Sequence, residues 1–200
     1  MADSELIEFD WVISLLVQNI AADLMIQEEA MSGINDARIF RKAIRRCQLH
    51  TRLLQLVLQI KQRQANGSIG STDLIQVLSQ IEASSADLVK ISVNRSKPLL
   101  NVLCEEKLLD ACLRLGVILL LLEDSNLSHI YIGLRNRSGY VSVRFDGGRI
   151  KNSQLLDRQL LALLSHVISR FGGGVVVKSN HGKRRLYVRL NLSNQLNLIE

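Results

Sequence analysis

Two hundred residues, 47% of them hydrophobic, can bury a real core and set the scale at one or two small domains. The net charge of +6 is segregated: residues 1–37 carry eight acids and no base, and residues 38–63 carry eight bases and no acid. Three cysteines at unrelated spacings (Cys47, Cys104 and Cys112), all in apolar helical contexts, argue against a disulfide framework and against a metal cluster, and read as reduced core residues.

The first element is "EFDWVISLLVQNIAADLMIQ". Its apolar residues Leu6, Phe9, Ile13, Leu16, Ile20 and Leu24 recur every three or four positions, which predicts one buried helical stripe. Asp10, Gln18, Asn19 and Asp23 interrupt the run, and no basic segment precedes it, so no membrane insertion is expected and the cytoplasm is the default location. Two residues on a helix turn about 200 degrees, which places Trp11, Leu15 and Ala22 opposite the stripe that holds Phe9. An outward tryptophan of this kind serves as an interface anchor, or packs against the rest of the chain or a dimer mate. "MSGIND" ends the helix, with Asn35 or Asp36 placed to cap the next one.

The second helix, from about Ala37 to Gln64, buries a stripe near Phe40, Ala43, Cys47, His50, Leu54 and Val57. Its basic residues are expected to lie beside the acidic first helix in an antiparallel hairpin. Almost no aromatic residue is interleaved with those bases for stacking, so nucleic acid is not expected as a partner. "ANGSIGS" reads as a loop, with Ser71 or Thr72 capping a third helix that runs to about Ser85. "LVKISVN" is a short strand and "CEEKLLDACLRLGVILLLLE" a buried helix. "HIYIGLRN" and "GYVSVRFDGG" alternate as two strands around the "NRSG" turn. An amphipathic helix in "SQLLDRQLLALLSHVISRF" leads to a second hairpin, "GGGVVVKSN" and "RRLYVRLNL", with "HGK" at its tip. The order predicts an α+β sandwich with helices on one face of an antiparallel-leaning sheet, residues 71–200, behind a helical hairpin, residues 1–66.

This order resembles the core of a sensor histidine kinase, a dimerising hairpin followed by an ATP-binding domain of the GHKL type. "VSVRFDGGRI" resembles the strand and glycine turn that holds the adenine-binding aspartate, which would make Asp146, Gly147 and Gly148 the remnant of a nucleotide pocket. The family's magnesium-binding asparagine has no counterpart in "LLDACLRLGVILLLLE". The place of its phosphate-cradling glycine turn holds Arg158 and Leu160, and only "RIKNSQ" stands where a long lid would lie. The resemblance therefore implies no ATP at the usual site, and no cofactor.

A lidless GHKL domain behind a helical hairpin is similar to one narrower family, the ChpT-type histidine phosphotransferases. That likeness implies a homodimer built on a four-helix bundle, docking of the receiver domains of response regulators or of a hybrid kinase, and phosphoryl transfer through a histidine. Of the four histidines only His50 lies in the hairpin, on the apolar stripe; His129, His166 and His181 lie outside it. Aligning the first helix with the family's puts the phosphoacceptor position at Trp11, or at Asp10 with a slip of one residue, and neither can replace histidine. The expectation is a phosphotransferase or its catalytically degenerate relative, with Trp11, Ser14 and Leu15 as the docking patch and His50 as the catalytic candidate only if the register differs. Nucleic-acid binding, a purely structural dimer and an ATP-dependent kinase relative are the competing readings.

Overall fold

A computed structural model describes residues 9–32, 37–66, 70–94, 100–123, 127–149, 155–180 and 183–193. The predicted caps at Asn35 and Asp36, and His181 with Gly182 at the hairpin tip, lie outside the described residues. The hairpin is formed by α1 (Phe9–Ser32) and α2 (Ala37–Asn66). It is antiparallel: the Lys61 ammonium meets the Asp10 carboxylate at 2.6 Å near one end, and Arg46 and His50 meet Asp23 further along.

The buried face of α1 is turned from the predicted stripe. Val12, Leu16 and Asp23 are buried, whereas Leu24 stands half exposed. The charge of Asp23 hid this face from a purely apolar reading. In α2 the buried set is Ala43, Leu49, His50, Leu53, Leu56, Val57 and Ile60.

The segment predicted as a loop with a Ser71 or Thr72 cap is instead a strand, β1 (Ser71–Asp73). It pairs antiparallel with β3 (Asn101–Leu103), a strand the sequence did not suggest. The cap of α3 (Leu74–Ser84) is Asp73, whose carboxylate accepts from the Ile75 N–H at 2.9 Å. Three-residue strands carry too little alternation to be read in advance.

The main sheet has the order β2-β4-β5-β7-β6, from β2 (Lys90–Val93), β4 (His129–Arg137), β5 (Tyr140–Arg149), β6 (Gly174–Asn180) and β7 (Lys183–Asn191). Among the described strands of this sheet only the β2–β4 pair is parallel. Gly139, at φ 85°, makes the tight β4–β5 turn. Between the hairpins lies α5 (Leu155–Ser169). It ends in a Schellman motif, with Gly173 N–H donating to Ile168 O, Gly172 N–H to Ser169 O, and Gly172 at φ 70°.

The described helices all lie on one face of the sheet, in two layers. The inner layer has α4 (Glu106–Glu123) at its centre, and α2 runs antiparallel along the outer side of α4. Arg63 ion-pairs with Glu105 at 3.0 Å before α4 begins, and Arg45 donates to Leu127 O at 3.3 Å beyond its end. This explains "LGVILLLL". From Leu115 to Leu121 every residue of α4 is buried, because the sheet covers one side and α2 the other. One continuous core cluster runs from Val12 and Leu53 through Leu113 to Val143 and Val188.

Cys104 and Cys112 are buried free thiols, and Cys47 is half-buried. Burial pushes the Cys104 thiol from 9.0 up to about 12, with the charge of Glu105 adding to it, and burial raises Cys112 as well. An unfolded thiol ionises first, so stability will fall as pH rises above the unfolded value of 9.0. At pH 10 Cys104 alone should account for about 1.4 kcal/mol. Urea denaturation at pH 8 and pH 10 checks this, and a Cys104→Ala/Cys112→Ala variant should show a flatter profile.

Candidate functional site

The hairpin histidine comes first. His50 is only 2% exposed, and its Nδ1 lies 2.7 Å from Asp23 Oδ2, a carboxylate 1% exposed. The Arg46 guanidinium flanks Asp23 Oδ1 at 3.4 Å, with its own side chain partly in water. This is an Asp–His pair sealed between α1 and α2, with an arginine closing its outer side. An imidazole so placed has no open path to an incoming aspartyl phosphate; its contribution is to satisfy a buried carboxylate. His129, at the start of β4, is exposed and bonds Ser92 Oγ at 2.9 Å, and His166 is exposed on α5.

The predicted docking patch divides. Trp11 is 40% exposed and Ser14 is exposed, but Leu15 is half-buried against the core, so it leaves the patch. Asp10, beside Trp11, is exposed and held by Lys61. In place of Leu15, the outward face of α1 continues through Val17, Ala21, Leu24, Met25 and Met31, all exposed. Over Phe9–Met31 this helix is long and apolar enough to cross a membrane by length and composition alone. In the fold it lies along α2 with Asp23 turned into the protein.

The predicted nucleotide remnant also changes. On β5 the residues Val141, Val143 and Phe145 are fully buried under the helices, so by the two-residue pleat Asp146 points to the opposite, open face. There its carboxylate ion-pairs with Arg144 Nε at 2.7 Å and Arg185 Nε at 2.9 Å. Asp146 is thus a sheet-surface residue, and the inward position next to it is a phenylalanine. Gly147 faces inward again, but a Cβ there would meet Leu127 at 3.1 Å and Ile130 at 3.3 Å, so apolar side chains fill that corner. Gly148 lies in the irregular end of β5, where the pairing with β7 shifts between Asp146 and Arg149.

A cleft of about 700 Å³ opens where α2 meets the α3–β2 turn and α4. Gln55, Gln59 and Gln62 line it with Arg52, Arg114 and Ile118. Both arginines are already held by carboxylates, Arg52 by Asp87 at 2.6 Å and Arg114 by Asp110 at 2.7 Å. The Arg52 partnership also lowers the Asp87 carboxyl below its ordinary value. Among the described residues no group of His, Cys, Asp and Glu could hold a metal ion.

Comparison with solved structures decides the architecture. The ATP-binding domain of PrrB from Mycobacterium tuberculosis superposes with a TM-score of 0.52 at 15% identity, over 63% of this chain and 98% of that one. The fold is that of a histidine-kinase ATP-binding domain. The Acinetobacter baumannii histidine kinase AdeS matches with a TM-score of 0.52 at 10% identity, over 90% of this chain and 96% of its own. That share has to include part of the hairpin. The catalytic domain of the histidine kinase ThkA gives a TM-score of 0.51 at 13% identity, over 62% and 96%. By sequence, no protein-family model and no curated protein matches. The histidine-kinase-like fold is therefore carried by a sequence with only 10–15% identity to these structures.

Proposed function

We propose that this chain is a homodimeric docking protein of a two-component phosphorelay, a degenerate ChpT-like relative that binds receiver domains without binding ATP or passing phosphate. The observation that carries this reading is the state of the hairpin. Its one histidine is locked onto Asp23 inside, while the outward face of α1 presents Trp11, Val17, Leu24 and Met25. An apolar helical stripe of this kind is covered when two hairpins form a four-helix bundle. The receiver then meets the Trp11–Ser14 end of the bundle, where the polar Ser14 and Asp10 border the ring.

The part of this proposal that denies ATP binding is supported by four placements. Histidine-kinase resemblance puts the magnesium ligand on α4 and the phosphate cradle at the start of α5, but α2 lies along α4 and α1 against α5. Phe145, not a carboxylate, is the inward residue at the end of β5, and Leu127 with Ile130 fills the space beside Gly147. This reading keeps the protein in the cytoplasm, with α1 used for packing.

Sedimentation at micromolar concentration should give a dimer, and Leu24→Glu/Met25→Glu should turn it into a folded monomer. With a phosphorylated receiver, label should stay on the receiver while a complex forms that Trp11→Glu weakens. Label on His50 that disappears in His50→Ala would establish transfer and defeat this reading. Magnesium-dependent micromolar ATP affinity would defeat it equally.

A further inference from the structure

The open face of the main sheet has not entered the function so far. Pleat alternation sends Ile130, Ile132, Val141, Val143, Leu186 and Val188 under the helices, which leaves the alternate residues of the same strands on the other side. No described helix packs there. All three tyrosines of the chain lie on this face: Tyr131 on β4, Tyr140 on β5 and Tyr187 on β7, three adjacent strands. Around them stand Arg135, Arg137, Arg144, Lys178, Arg185 and Arg189. Among the described residues of β4, β5, β6 and β7, Asp146 is the single carboxylate against them.

The rings and cations are interleaved. The Arg189 guanidinium sits 4.2 Å from the centroid of Tyr140, and the Lys178 ammonium 5.7 Å from that of Tyr187. Tyr131 is 39% exposed. It pairs across to Asp146, whose neighbour in the next strand is Arg185. Strand spacing and rise place Tyr187 roughly 12 Å from Tyr131 and roughly 14 Å from Tyr140. Gly133 adds flatness: with no side chain of its own, it leaves room for the Arg144 guanidinium, which a Cβ there would meet at 3.3 Å.

We infer that this face binds single-stranded nucleic acid, with bases stacked on Tyr131 and Tyr187 and the phosphates held by the surrounding arginines and Lys178. An open sheet bearing spaced aromatic rings is a known physical solution for unpaired bases, because every base offers a π-face and the backbone needs only positive charge. A folded acidic protein would satisfy the charges but not the flat rings. A duplex offers no unstacked base. The basic stretch of α2 offers only the half-buried Phe40 among its bases; the exposed sheet face supplies both elements together. This inference is independent of the phosphorelay reading, since it uses the sheet face remote from the hairpin.

The test is fluorescence anisotropy of the full-length protein with labelled oligonucleotides of about 12 units. The probes are oligouridine, oligodeoxyuridine and a mixed-sequence duplex of equal length. Either single strand should bind with micromolar affinity or better at about 50 mM salt, and binding should weaken at least tenfold by about 200 mM. Tyr131→Ala and Tyr187→Ala should each weaken it about 5- to 100-fold, while Tyr131→Phe stays within about twofold. Circular dichroism melts confirm that the variants are folded. Preference for one single strand over the other assigns the sugar and supports the site. Absence of binding at low salt overturns the inference, as does a duplex bound as tightly as the single strands. So does indifference to the tyrosine substitutions, or a loss confined to Arg41→Glu/Lys42→Glu on α2. Pelleting with phosphatidylserine vesicles in the absence of any oligonucleotide binding would assign the face to lipid and also overturn it.

Discussion

Replacing His50 with leucine will cost about 3–5 kcal/mol of folding free energy, far more than a change of similar volume at an ordinary core position. The substitution leaves the Asp23 carboxylate 1% exposed and without its 2.7 Å partner. Arg46, 3.4 Å away, offsets some of the charge but lies 40% in water. Asp23→Leu should destabilise by a smaller amount, because a neutral imidazole costs less to bury than a carboxylate. The double variant Asp23→Leu/His50→Leu should return to within about 1–2 kcal/mol of the wild type, since an apolar pair needs no desolvated charge. Urea denaturation of the four proteins closes the cycle. Additive single effects below about 1 kcal/mol would show that the pair is not coupled and would reopen His50 as a group available for chemistry.

This pair also shows where sequence reading stopped. The hairpin and its antiparallel packing followed from helical periodicity and the segregation of acids and bases. The face of α1 did not. Asp23 lies seven residues from Leu16, on the same side of the helix, and an acid at that spacing signals a buried partner on the facing helix. His50, the one histidine on the apolar stripe of α2, was that partner. Each was legible alone, but the pairing needed the register between the helices, which no local pattern contains. Asp146 is the opposite case. The alternation Val141, Val143, Phe145 already assigns Asp146 to the outer face, and likeness to a family motif outweighed it. The period of two was the better guide because one misplaced register flips every side chain. β1 and β3 lie beyond either signal, since three residues cannot show a period. The sheet and its helical face were legible because four of its strands run seven to ten residues; the strand order was not, since which strands pair is a non-local matter.

The second large effect concerns the hairpin as a structural part. A chain beginning at Gly70 will fail to reach a unique folded state, although it retains the whole main sheet with α3, α4 and α5. The reason is α4. Gly116 faces the sheet, where its position lies against Leu186 and Phe145. Ile118 stands about 200 degrees away and Leu121 about 140 degrees away on the same helix, both buried and both turned toward the outer layer. Removing α2 strips the cover from these side chains and from Ala111. Exposing each large one costs about 1.5–3 kcal/mol, and a domain of this size has only about 5–15 kcal/mol in hand. The truncated protein should keep far-ultraviolet ellipticity, lose near-ultraviolet signal and bind hydrophobic dyes, or aggregate. Adding residues 1–69 as a separate polypeptide should restore a cooperative transition. A sharp melt and a dispersed NMR spectrum for residues 70–200 alone would show instead that the hairpin is a detachable module. In that case the outer face of α4 would be open to other occupants, and the proposal that nucleotide does not bind would have to rest on Phe145 and the filled corner at Gly147 alone.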